Sequence, residues 1–223
     1  MIGTMVFAAG LGTRMRPLTD DRPKALVQVA GRALIDHALE QVAGPGPTIV
    51  NAHHFADALA AHLAGRDVTL LRETPVLLET GGGLRNALPH LGKGPVLTMN
   101  ADACWTGPRA RDTLTAAWDP THMDGLLLLV PSARAVGQAG GSFAMDGDSR
   151  LVRDTGGMVY TGTGIVKPEG LLRDPRQVFS LRDLWFEMLD RGRLFGVEHP
   201  GHWADVGTPG GIAEAEAMLA QAP

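Results

Sequence analysis

Arg14, Arg16, Arg22 and Lys24 crowd into one short stretch that opens with Gly10 and Gly12 and follows the small apolar run Val6–Ala9. A buried strand feeding such a loop presents backbone N–H groups and positive charge at one end of a sheet, an arrangement suited to a polyphosphate. Two commoner phosphate loops are excluded by spacing. No Gly-Lys-Ser/Thr ending follows, and Met15 stands where the dinucleotide fingerprint needs glycine or alanine. Further along, Asp102 follows the apolar run Val96–Met99, and Asp205 lies in His202-Trp203-Ala204-Asp205. Two carboxylates from distant positions can hold one Mg²⁺ that keeps its other sites for water and phosphate oxygens.

These groups need a scaffold, and the pattern supplies one. Leu34, Ile35, Ala38, Leu39 and Val42 recur at helical spacing before the breaker Gly44-Pro45-Gly46-Pro47. Strands are expected at Thr48–Asn51, Val68–Leu71, Val96–Asn100 and Gly125–Val130, with helices over Ala56–Ala64 and about Arg109–Trp118. This alternation predicts a Rossmann-like three-layer α/β fold, a mostly parallel sheet with helices on both faces. Ligands in such sheets sit beyond the carboxyl ends of strands, where the Gly10 loop and Asn100–Asp102 both fall. The second half reads differently: a hairpin around Asp146-Gly147-Asp148, a strand over Met158–Val166, a helix over Leu181–Asp190, a strand over Leu194–Val197 and a helix from Pro209. It is expected to form a small β appendage over one substrate. A single domain over 1–223 is expected, with about 1–130 binding nucleotide and about 131–223 holding the second substrate and completing the metal site.

With 223 residues, 44% hydrophobic, the chain can build one substantial core. A formal charge of −4 argues against a nucleic-acid partner. One cysteine, Cys104, forms no internal disulfide, so a cytoplasmic location is expected, and the thiol reads as buried and inert. No apolar run reaches the roughly 18 residues of a membrane span, and the first residues carry no basic segment of a signal peptide. His53 and His54 are adjacent on a strand, point to opposite faces and suit no chelate; His199 and His202 carry no assigned role.

The run Ala8-Ala9-Gly10-Leu11-Gly12-Thr13-Arg14-Met15-Arg16-Pro17-Leu18-Thr19, with Pro23-Lys24, resembles the opening of the sugar-1-phosphate nucleotidyltransferases. The resemblance continues through Glu79-Thr80-Gly81-Gly82-Gly83, Asn100-Ala101-Asp102 and His202 to Thr208, in the family's order. Among subfamilies it is nearest the short N-acetylmuramate-1-phosphate uridylyltransferases, with mannose-1-phosphate guanylyltransferases next. It implies the nucleotide-diphospho-sugar transferase type of fold and Mg²⁺-dependent transfer of a nucleotidyl group, UMP from UTP, to a sugar 1-phosphate, in cell-wall precursor recycling. Ala8, Ala9, Gly10, Gly12, Thr13, Arg14, Lys24, Thr80, Gly81 and Gly82 would bind nucleotide. The segment from Glu79 to Gly83, read as a loop before a short helix, would contact the base through its backbone. Asn100, Thr161, Gly162 and Thr163 would take the sugar phosphate, and Asp102 and Asp205 the metal. Ala101 and Ser142 depart from the family's usual glycine and aspartate.

The chemistry so implied needs no Ser–His–Asp device. A phosphate monoester with a second pKa of about 6 is already largely deprotonated at neutral pH. The difficulty is bringing a dianion to a triphosphate, which calls for cations, backbone donors and in-line placement. Arg14, Lys24 and Asp102 are accordingly the expected catalytic residues. Two other readings share the motifs. A non-catalytic nucleotide-sugar sensor would have lost these charges, and a choline phosphate cytidylyltransferase would need an aromatic cage that 5% aromatic content supplies poorly.

Overall fold

The computed structural model describes residues 1–138 and 140–221. The run Leu126-Leu127-Leu128-Leu129-Val130 shows how the sequence dictates the layers. All five side chains are buried, Leu126, Leu128 and Val130 on one face and Leu127 and Leu129 on the other. A strand covered on both faces has no polar side to present, so it reads as an unbroken apolar run.

Around it lies a seven-stranded sheet in the order Leu194–Glu198, Gly125–Val130, Val159–Val166, Val96–Asn100, Gly3–Phe7, Thr48–Ala52, Thr69–Arg72. Neighbours are parallel except at Val159–Val166, which runs antiparallel to both its partners. Helices Leu34–Val42, Ala56–Leu63 and Ala110–Ala117 cover one face through Ile35, Leu59 and Leu114. Helices Glu79–Leu91 and Leu181–Asp190 cover the other through Leu84, Leu181 and Leu184. The three-layer α/β expectation is met.

The second half is not confined to an appendage. Val159–Val166 enters the middle of the main sheet and Leu194–Glu198 forms its edge; of the expected elements only the hairpin Phe143–Met145 with Leu151–Arg153 stands apart as a two-stranded unit. Strand order is a long-range property, and local pattern carries no record of it. A third apolar cluster, around Met15, Val29, Leu34, Cys104, Ala204 and Met218, ties the Gly-rich loop to the C-terminal helix Pro209–Ala220. Among the described residues no helix is long and apolar enough to cross a membrane.

Candidate active site

The first strand ends at Phe7, and the chain then turns through Ala8–Gly12 above the sheet's carboxyl edge. Among the described residues the amides of Ala9, Gly10, Leu11 and Gly12 donate to no protein acceptor, which leaves a small set of free donors. The Ala8 amide donates to Asn51 Oδ1 at 2.7 Å. Asn51 in turn donates to Glu73 Oε1 at 2.7 Å, and Glu73 Oε2 accepts from the Leu78 amide at 2.8 Å. Glu73 and Asn51 are both buried, so this chain of bonds fixes the loop from beneath.

Thr13–Met15 forms one tight helical turn, and Met15, fully buried, plugs it into the third cluster. The residue that breaks the dinucleotide fingerprint is thus the loop's anchor, and Arg14 beside it stays exposed. The basic stretch separates into two kinds of cation. Arg16 pairs with Asp20 at 3.4 Å and Arg22 with Asp21 at 2.8 Å, both on the surface. Lys24 turns inward and donates to Asp102 Oδ2 at 2.8 Å.

Asp102 and Asp205 meet because of a register. The short strand Ala103–Trp105 pairs antiparallel with Trp203–Asp205, setting Ala103 opposite Asp205, and the Val206 amide donates to the Asp102 carbonyl at 2.9 Å. Burial holds the Asp205 carboxyl above the usual carboxylate range, and the negative charge of Asp102 adds to this. Lys24, a 3.4 Å hydrogen bond from Gln138 and the charge of Arg14 act in the opposite sense. Arg14 reaches the same place: a Cβ on Gly207 would stand 3.1 Å from Asp205 Oδ2 and 3.3 Å from Arg14 Nη1. Lys24 and Asp102 therefore line a small cleft with Phe7, Ala8 and Gly10, where the two central parallel strands finish, and Asp205 and Arg14 stand beside them. Ala101 donates its amide to the Phe7 carbonyl at 3.1 Å and is buried in the core.

On the other side of Asn100, the strand Val159–Val166 is irregular between Tyr160 and Gly164. Gly162 sits there at φ +76°, and a Cβ on it would lie 2.6 Å from Asn100 Nδ2, so only glycine meets both demands. Thr161 and Thr163 fall on the opposite face. Their hydroxyls donate to the Leu128 carbonyl at 2.7 Å and to Met99 Sδ at 3.0 Å, and both residues are buried. Both hydroxyls are thus bonded within the fold, whereas Gly162 abuts Asn100.

Glu79–Gly83 is also not a loop. It forms the opening of the helix Glu79–Leu91. The Gly81 and Gly82 amides both donate to the Phe179 carbonyl, at 2.9 and 3.2 Å, and Thr80 Oγ1 accepts from the Leu181 amide at 2.9 Å. A Cβ on Gly82 would stand 2.4 Å from the Gln177 carbonyl oxygen, so these glycines let the helix seat against residues 177–179. Backbone cannot yield as a side-chain tip would. Gly82→Ala is expected to lower unfolding free energy by about 1–3 kcal/mol, read from denaturant unfolding. An unchanged midpoint would show that this seat is not tight.

His53 Nδ1 lies 2.8 Å from the Glu73 carbonyl, and the His54 ring packs against Phe55. His199 is fully buried with Nε2 2.8 Å from the Thr106 carbonyl and its ring edge-on to Trp105, while the His202 amide donates to Thr106 Oγ1 at 2.9 Å. Both hold the strand that carries Asp205 against the one that follows Asp102. Burial pushes the Cys104 thiol up to about 12, which leaves it protonated. Sequence reasoning missed the Asn51–Glu73 relay and Gln138. An asparagine ending a strand beside the loop was the one available signal, and Gln138 carried none.

Residues 4–152 match the family described as MobA-like NTP transferase domain. The chain is 45% identical, over 98% of its length and 97% of the relative's, to the N-acetylmuramate alpha-1-phosphate uridylyltransferase of Caulobacter vibrioides. It is 34% identical to the Neisseria meningitidis serogroup B protein of the same name, covering 96% of each. Among solved structures, HddC from Yersinia pseudotuberculosis complexed with GMP-PN is similar in fold, with a TM-score of 0.77 at 21% identity over 98% of this chain and 100% of that one. The inositol-1-phosphate CTP transferase from T. maritima also has a TM-score of 0.77, at 16% identity over 99% and 97%.

Proposed function

The chain belongs to the family of MobA-like NTP transferase domains, as a sugar-1-phosphate uridylyltransferase, and we propose that its reaction joins UTP to N-acetylmuramic acid 1-phosphate, giving the UDP-sugar and pyrophosphate. The observation that carries the reading is the cleft lined by Lys24 and Asp102, with Asp205 and Arg14 close enough to act on the same charges. A phosphate oxygen of the acceptor forms a bond to the α-phosphorus of UTP, and the bond from that phosphorus to the pyrophosphate oxygen breaks. No proton need be removed, because the attacking phosphate is already ionised. Lys24 neutralises the approaching phosphates, and Arg14 offers a guanidinium to the departing pyrophosphate. The free amides of Ala9–Gly12 add donors that need no rearrangement.

Two neighbouring half-buried carboxylates fit a hard divalent cation. Among the described residues no group of three or more metal-ligating side chains exists, so Asp102 and Asp205 would leave room for phosphate oxygens and water. When bound, Mg²⁺ would supply charge stabilisation at those phosphate oxygens. A cytoplasmic place in cell-wall precursor recycling belongs to the same proposal.

Purified protein should be offered each nucleoside triphosphate with N-acetylmuramic acid, N-acetylglucosamine, mannose and glucose 1-phosphates, and products identified by mass. UDP-N-acetylmuramic acid with released pyrophosphate is the expected product. Folded protein that is inactive across the panel would overturn the reading. Chelation by EDTA should stop product formation and added Mg²⁺ restore it; turnover that persists in EDTA would remove the metal from the scheme.

A further inference from the structure

A recess of about 540 Å³ opens between the hairpin and the helix Leu181–Asp190, next to the irregular strand that carries Gly162. Its wall includes Phe143, Tyr160, Trp185 and Phe186, in a chain with six Phe, four Trp and one Tyr. Such a concentration of rings in one concavity suits the apolar face and acyl substituents of a sugar. Among the described residues the buried indole N–H of Trp185 has no acceptor.

Two arginines complete the wall. The Arg153 guanidinium lies over the Phe186 ring at 3.7 Å, and that of Arg182 stands 5.8 Å from the same ring centre. Among the described residues neither arginine forms an ion pair, whereas Arg176 nearby is paired twice, with Asp174 and Asp183. The recess's one carboxylate, Asp154, accepts from the Gly156 amide at 2.8 Å. Two guanidinium groups set against one ring and without an ion-pair partner among the described residues can offer their donors to a bound anion.

The recess also adjoins the Asn100 side of the cleft: Tyr160 in its wall is two residues from Gly162, which packs on Asn100. An acceptor whose phosphate faces Lys24 would extend its sugar toward these rings.

We propose that Arg153 and Arg182 are specificity-determining residues that bind a carboxylate on the acceptor sugar. The inference rests on the uridylyltransferase reading and deepens it. N-acetylmuramic acid carries a lactyl ether carboxylate that N-acetylglucosamine lacks, and the two are otherwise the same ring. The pair would therefore select the acid sugar through charge, while the rings hold what both sugars share.

The test compares kcat/KM for the two 1-phosphates with UTP. The unaltered protein should favour the acid sugar, and its lactyl methyl ester should lose most of that advantage. R153Q with R182Q should cut the ratio of the two kcat/KM values about 10–100-fold, mostly through KM, and R153K with R182K should recover part of it. Thermal melting of each variant checks that it is folded, and the ester comparison needs no variant. An ester used as well as the free acid, or a selectivity ratio unchanged in the folded double variant, would overturn the inference. No turnover with any acceptor would instead overturn the uridylyltransferase reading. Equilibrium binding of the two sugar phosphates would then still decide the arginine pair: a preference for the acid sugar that R153Q with R182Q removes supports it, and equal binding overturns it.

Discussion

Asp205→Asn should lower kcat on the order of 10³-fold and at the same time raise the melting temperature of the metal-free protein at neutral pH. The two effects have one cause. Asp205 is half-buried near Asp102, and both its partial burial and that neighbour disfavour its charge. A carboxyl that binds its proton more tightly in the folded than in the unfolded chain costs stability as pH rises above the ordinary carboxylate range. The neutral isostere removes that cost together with the charge proposed to hold the metal, a trade of stability for activity. Asp102→Asn should lose turnover to a similar extent without the gain in melting temperature, because Lys24 Nζ, 2.8 Å from the carboxylate, loses its charged partner. Turnover with saturating Mg²⁺ and melting in EDTA provide the check. Full activity in both variants, or a lower melting temperature for Asp205→Asn, would refute this account of the pair.

Lys24→Met should reduce kcat/KM about 10²–10³-fold, since in the proposed reaction it removes a preorganised cation where the two phosphates meet. Its side chain is largely shielded, 14% exposed, so solvent screens its charge weakly. Lys24 and Asp102 are bonded in the free protein, and their losses should not multiply. The double variant with Asp102→Asn should fall well short of the product of the single effects, as groups acting as one unit do. Strictly multiplicative losses would mean that the ion pair has no part in assembling the site.

Much of the fold was legible locally. The helix Leu34–Val42, the buried strand Gly125–Val130 and the hairpin at Asp146–Asp148 each followed from apolar period or turn residues. The cations Arg14 and Lys24 and the carboxylates Asp102 and Asp205 announced themselves by charge at the ends of apolar runs. Assignments that rested on side-chain direction or backbone bonding fared differently. Thr161 and Thr163 face the interior, the Ala8 amide is taken by Asn51, and Glu79–Gly83 begins a helix seated on Phe179.

The division has a physical reason. Charge, volume and turn propensity are properties of residues and their near neighbours, so the sequence alone determined which groups were available and which end of the sheet would hold them. Pairing across long separations is not written in any window of the chain. The insertion of Val159–Val166 beside Val96–Asn100, the register of Ala103 against Asp205 and the meeting of Arg153 with Arg182 around Phe186 arise only when distant segments bury their surfaces together. Tertiary structure decided those contacts, and with them which of the available groups face the cleft.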